Sequence, residues 1–182
     1  ANAFNMVIES DLDKLMARTA KRPVVTGQIS KKNATVFASL IGILALVIFW
    51  IFTTPLAALL TLIAIVFYVV VYTMTLKQRT AQNIVWGGAA GCMPVLIGWS
   101  AVTGSLSWTP VVLLLIVLFL TPPHYRPLSL RYKYYYAAAG VPMLPVTDTP
   151  HVVAKQIIIY SLLLALKLVL LQLKHLPHSL QL

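Results

Sequence analysis

The chain has 182 residues, of which 59% are hydrophobic and only 10% charged, and its formal net charge is +10. That balance excludes an ordinary soluble domain and describes an all-α, polytopic transmembrane helix bundle. Lysine and arginine in cytoplasmic loops explain the positive charge better than nucleic acid does, and a single cysteine, Cys92, excludes a disulfide framework or a cysteine-rich metal centre.

Three of the four acidic residues stand in the first stretch, Asn5 to Pro23: Glu9, Asp11 and Asp13. Lys14, Arg18, Lys21 and Arg22 share it. Asn5, Glu9 and Asp13 recur every four positions. On a helix each such step drifts by only about 40°, so the three share one face and Asp11 points nearly opposite. Carboxylates stacked in this way repel unless a cation lies between them. Oxygen-only ligands suit a hard ion such as Mg²⁺ that bridges to phosphate, and the basic residues downstream suit the remaining phosphate charge. A solvated helix end anchored at the membrane surface accounts for the same charges, and the spacing fits both readings.

Gly27 breaks any helix in 24–33, and Ser30 or Asn33 is placed to cap the first span. Ala34 to Thr53 is uncharged and, at about 20 residues, long enough to cross a bilayer. Thr54-Pro55 makes a tight connection into a second span, Leu56 to Met74, whose aromatics fit the interfacial belt. The third span, Asn83 to Val102, is rich in small residues. Gly87 and Gly91 have the small-xxx-small spacing of close helix approach, and Pro94 predicts a kink. The fourth span reads from Leu106 to Pro122 and the fifth from Gln156 to Leu173, with residues 121–155 forming a long polar interval rich in Pro and Tyr. Residues 1–182 are expected to form a single membrane domain of about five spans. It is expected to be incomplete at both ends, since the chain opens on Ala1 inside a motif.

Six basic residues lie between Lys14 and Lys32, none at 53–54, Lys77 and Arg79 in the next loop, and none at 103–109. Arg126, Arg131, Lys133 and Lys155 stand in 121–155. The alternation places every charge-rich loop on the cytoplasmic side of a multi-pass cell-membrane protein. Charged loops over an apolar bundle suit an amphiphile with a charged head and a hydrocarbon tail, whereas a transporter sets its polar groups near the midplane. His124, in TPPHYR at the end of the fourth span, is placed to ligate haem iron, to shuttle a proton, or simply to be solvated.

Several runs carry a family resemblance. Asn5-xxx-Glu9-xxx-Asp13 together with Arg18 to Pro23 resembles the first aspartate-rich motif of the intramembrane aromatic prenyltransferases. Tyr72 to Trp99, Thr121 to His124 (TPPH) and Ala137 to Val146 (AAAGVPMLPV) narrow it to something similar to the protohaem IX farnesyltransferases, the haem O synthases. The resemblance implies a helical bundle that moves a farnesyl group from farnesyl diphosphate to the vinyl group of haem B, with diphosphate leaving. It implies that Asn5, Glu9 and Asp13 form the catalytic set, with Mg²⁺ on Glu9 and Asp13. Arg18, Arg22, Lys77 and Arg79 would neutralise diphosphate oxygens, and His124 is the haem-side candidate.

The sequence departs from this pattern at two places. The family's second acidic motif has two carboxylates where this chain has Tyr134 and Tyr135, and Arg126-Pro127 stands where the family has Trp-Ala. The chain is therefore expected to bind diphosphate weakly and to transfer little. A catalytically degenerate membrane protein with the same packing, or a small-solute transporter, is the alternative.

Overall fold

A computed structural model of the chain describes residues 1–16 and 19–175. Two short helices, α1 (Asn2–Ile8) and α2 (Ser10–Asp13), lead into α3 (Lys31–Phe52). Ser30 starts α3 by accepting the Asn33 N–H at 3.1 Å. Thr54 starts α4 (Pro55–Val66) by accepting the Ala57 N–H at 3.2 Å, and Pro55 takes a first-turn position where a missing N–H costs nothing. α4 runs directly into a π-helix, Phe67–Leu76, and the two make one apolar rod of 22 residues. α5 (Asn83–Thr103) ends on Gly104 in the left-handed conformation, a common helix stop. α6 (Trp108–Arg131), the short α7 (Lys133–Ala138) and α8 (Leu144–Thr147), and α9 (Pro150–His175) complete the chain.

Five of these rods are long and apolar enough to cross a membrane: Lys31–Phe52, Pro55–Leu76, Asn83–Thr103, Trp108–Arg131 and Pro150–Gln172. No strand forms among the described residues, so the chain is an all-α, multi-pass membrane bundle. Each span packs on the next in sequence. The large apolar side chains, such as Phe37, Leu40, Trp50 and Leu162, face outward, while small or polar residues such as Ala38, Ala57, Asn83 and Ser100 are buried. That inversion suits lipid, where apolar side chains gain nothing by facing another helix and small residues let backbones approach. Gly88 does this against α6: a Cβ there would meet the Thr121 methyl at 2.8 Å. Gly87 does it against Tyr72, at 2.9 Å, while Gly91 has open space around it. The close approaches therefore use adjacent glycines rather than the Gly87-xxx-Gly91 pair.

Two span boundaries differ from the sequence reading. The fourth helix continues past Pro122 to Arg131, and the fifth starts at Pro150. Three prolines fall inside α6, yet Pro122, Arg126 and Ser129, at i, i+4 and i+7, form its buried stripe there. Packing of that stripe outweighs the lost backbone hydrogen bonds.

Candidate active site at one end of the bundle

The backbone between α1 and α2 bends at Glu9 (φ −94°, ψ 11°), but the helical ladder passes through. Glu9 N–H donates to the Asn5 carbonyl at 2.9 Å, and Asp13 N–H to the Glu9 carbonyl at 2.8 Å. Asn5, Glu9 and Asp13 are consequently stacked, and all three are buried. Asp11 points to solvent, where it accepts from Lys14 at 2.8 Å and Lys31 at 3.1 Å. These two ammonium groups hold its carboxyl below the usual carboxylate range.

The π-helix supplies the other side of the site. Tyr68 Oη donates to Asn2 Oδ1 at 3.2 Å, Thr73 Oγ1 to Asn5 Oδ1 at 3.3 Å, and Lys77 Nζ to Glu9 Oε2 at 2.6 Å. These are three rungs between two parallel segments. On an α-helix, at about 100° per residue, Tyr68 and Lys77 would point to opposite faces. The i→i+5 pattern has more residues per turn and brings Tyr68, Thr73 and Lys77 to the same face. It persists to the end of the element, where Lys77 N–H donates to the Tyr72 carbonyl at 2.9 Å.

Asp13 receives its own cation from the turn after α2. Thr19, buried, donates to the Asp13 carbonyl at 2.9 Å and folds the chain back. Arg22 then reaches Asp13 Oδ2 with Nη1 at 2.5 Å. Two carboxylates and one amide thus face two cations, and Glu9 Oε1 remains buried without a partner among the described residues.

Tyr68 and Tyr72 also line a cavity of about 540 Å³, together with Gly91, Thr121, His124 and Tyr136. The carboxylate–cation stack and the cavity therefore share the wall made by the π-helix. His124 stands edge-on to Tyr125, with ring centroids 4.9 Å apart. Arg79 is exposed and forms no ion pair with a described residue. Arg18 lies outside the described residues. Tyr134 and Tyr135, on α7, are exposed, while Tyr136 of the same helix borders the cavity. Thr19, Tyr68, Tyr72 and Thr73 do not stand out as site residues in the sequence: Tyr68 and Tyr72 read as interfacial aromatics, and 3.6-residue spacing does not bring Thr73 or Lys77 to the face of Tyr68.

No group of three His, Cys, Asp or Glu side chains suited to a metal occurs among the described residues. The donor set is instead two carboxylates and an amide oxygen. The unpartnered Glu9 Oε1 and the oxygen-only chemistry fit a hard divalent cation that takes its remaining ligands from water and phosphate.

The bundle sets paired carboxylates and cations beside a largely apolar cavity, so charged and apolar surfaces meet at one end of it. The chain belongs to the UbiA prenyltransferase family, which it matches over residues 1–179. It is 56% identical over 161 residues to a protein of Streptomyces avermitilis named protoheme IX farnesyltransferase, covering 88% of this chain and 53% of that one. Proteins of the same name from Streptomyces coelicolor and Rhodococcus jostii are 55% and 54% identical over 172 and 161 residues. Those matches cover 94% and 88% of this chain, and 55% and 54% of the relatives. The chain spans about half the length of the curated relatives it matches. No solved structure matches it.

Proposed function

We propose that the chain carries the diphosphate-binding half of a protohaem IX farnesyltransferase, which joins the farnesyl group of farnesyl diphosphate to haem B. The observation that carries this reading is the stack of Asn5, Glu9 and Asp13 against Lys77 and Arg22. Asn5, Glu9 and Asp13 would hold the divalent cation, with Mg²⁺ as the ion of choice for oxygen ligands and phosphate. Bound there, the cation would draw off charge that builds on the leaving diphosphate.

The chain's own residues have distinct tasks. Lys77 and Arg22 rest on carboxylates in the free site and transfer to diphosphate oxygens when the anion arrives. Both are long, flexible side chains within reach, and the exchange keeps each cation paired throughout. Arg79, exposed just beyond Lys77, adds positive charge, and Arg18 keeps the diphosphate role that the resemblance implies. The cavity beside Tyr68 and Tyr72 takes the apolar part of a substrate and keeps water from the breaking carbon–oxygen bond. His124, from the cavity wall, faces the haem side. Glu9 and Asp13 accept no proton in this scheme and act as charged anchors. The charge-rich end of the bundle lies in the cytoplasm, as the basic loops direct, and the membrane is the cell membrane.

A second reading is favoured by Tyr134 and Tyr135. Two phenols stand at exposed positions of α7 where the resemblance implies two carboxylates, so the chain binds diphosphate but turns over little. Membranes carrying the chain, supplied with haem B, farnesyl diphosphate and Mg²⁺, separate the two by chromatography of the haems. Haem O formation that is lost in Glu9→Gln meets the first reading. Binding without haem O, gained on Tyr134→Asp with Tyr135→Asp, meets the second. Neither binding nor product contradicts both.

A further inference from the structure

Among the described residues Arg126 is the most deeply buried charged side chain, at 1% exposure, and none of their carboxylates pairs with it. The chain's four acidic residues are occupied or remote. Glu9 pairs with Lys77, Asp13 with Arg22, and Asp11 with Lys14 and Lys31, while Asp148 is exposed and accepts from Thr147. Arg126 makes a single hydrogen bond among the described residues, from Nη2 to Gln82 Oε1 at 2.9 Å. Its Nε and Nη1 have no hydrogen-bond partner among the described residues, and its guanidinium carbon lies 5.1 Å from the centre of the Tyr160 ring.

Gln82 is the residue that opens α5, at the end of the loop that begins with Lys77. Its amide nitrogen also reaches Gln156 Oε1 of α9 at 3.4 Å. Its neighbour Asn83, fully buried, donates to the Lys77 carbonyl at 3.4 Å. Lys77 in turn carries the hydrogen bond to Glu9. Arg126 thus ties Gln82 at one end of the loop, Asn83 next to it ties the Lys77 backbone at the other, and the Lys77 side chain reaches Glu9. If Gln82 withdraws, the buried guanidinium keeps only its contact with Tyr160, a state more costly than an ordinary broken hydrogen bond. Arg126 and Gln82 therefore hold one another, and the loop between Lys77 and Gln82 is fixed at both ends.

We propose that Arg126 is a positioning residue: it pins Gln82 and thereby holds Lys77 on the Glu9 carboxylate. Its relevance to catalysis rests on the diphosphate reading of that pair, but the positioning itself is a property of the chain alone. Arg126 packs against Tyr160 of α9 and does not itself line the cavity, although Ser129 of the same α6 stripe does, so it acts through Lys77 rather than on substrate.

The test is the acetylation rate of each lysine in the full chain in lipid nanodiscs, read by mass spectrometry. Lys77 is largely shielded, whereas Lys21 and Lys32 are exposed and serve as references. In Arg126→Met and in Gln82→Ala, which removes only a half-buried side chain, Lys77 acetylation rises about fivefold or more relative to the references. Arg126→Lys, which can still donate to Gln82, restores most of the protection. Lys77 protection unchanged in both variants overturns the proposal. A rise at all lysines together, or no rescue by Arg126→Lys, also overturns it, since Arg126 would then be supporting the fold in general. Farnesyl diphosphate binding, measured on the same samples, separates the two readings. A wild-type chain that fails to bind while Lys77 still responds to Arg126→Met keeps the positioning and discards the diphosphate site.

Discussion

Lys77 Nζ lies 2.6 Å from Glu9 Oε2, joining residues 68 positions apart, and the Glu9 side chain is only 2% exposed. A buried carboxylate depends on its partner more than the partner depends on it. Lys77→Met is therefore expected to destabilise the chain by about 3 kcal/mol, because Glu9 is left charged and unpaired. Adding Glu9→Gln to Lys77→Met recovers most of that loss. Unfolding of the single and double variants in matched detergent checks this. Additive losses would mean that the two residues do not act as a pair.

The two glycine contacts in α5 give a second expectation. Gly88→Ala forces the Thr121 side chain aside and costs about 1–3 kcal/mol. Gly91→Ala, which meets nothing within 4 Å, changes stability by less than about 0.5 kcal/mol. Comparing the melting temperatures of the two variants decides whether close packing lies at Gly88 or at the Gly87-xxx-Gly91 spacing.

Much of this arrangement is legible from spacing and charge. The recurrence of Asn5, Glu9 and Asp13 every four residues fixes a common face, and the hydrogen-bond ladder survives the bend at Glu9. Ser30 and Thr54-Pro55 carry their capping chemistry openly. The π-helix is not legible. Its run of Phe, Tyr, Val and Thr reads as an ordinary span, and the face it presents to α1 exists only with i→i+5 bonding. Arg126 reads as a loop residue in the sequence because Pro122, Pro123, His124 and Pro127 look like helix-ending punctuation. Only packing against α9 reveals that the helix continues and buries it.

Asp11 provides an internal contrast to the buried acids. Its carboxyl is held below the ordinary value by Lys14 and Lys31. The contribution of these pairs is therefore present above the unfolded-state value, near 4, and is lost as pH falls through the lower folded-state value. The difference in melting temperature between wild type and Asp11→Asn is expected to stay constant from neutral pH down to about 5 and to shrink below that. The difference is small throughout, since the pairs are exposed and screened by salt.

The orientation argued from the basic loops is checked by cysteines introduced at exposed loop positions. Ser30→Cys and Thr149→Cys should be labelled only after the cell membrane is opened. Ser105→Cys, in the uncharged turn, should be labelled in intact cells. Labelling of Ser30→Cys from outside would reverse the assignment of the charged end.

In the proposed function Asn5, Glu9 and Asp13, with Lys77 and Arg22, form a divalent-dependent diphosphate site. Calorimetric titration of farnesyl diphosphate into the chain in nanodiscs tests it most directly, with and without Mg²⁺. Binding is expected to require Mg²⁺ and to weaken about tenfold or more in Glu9→Gln and Asp13→Asn. In Asp11→Asn, on the opposite face, it should change by less than about twofold. Binding indifferent to Mg²⁺, or weakened equally by all three substitutions, would contradict the site and leave only a charged surface at the membrane.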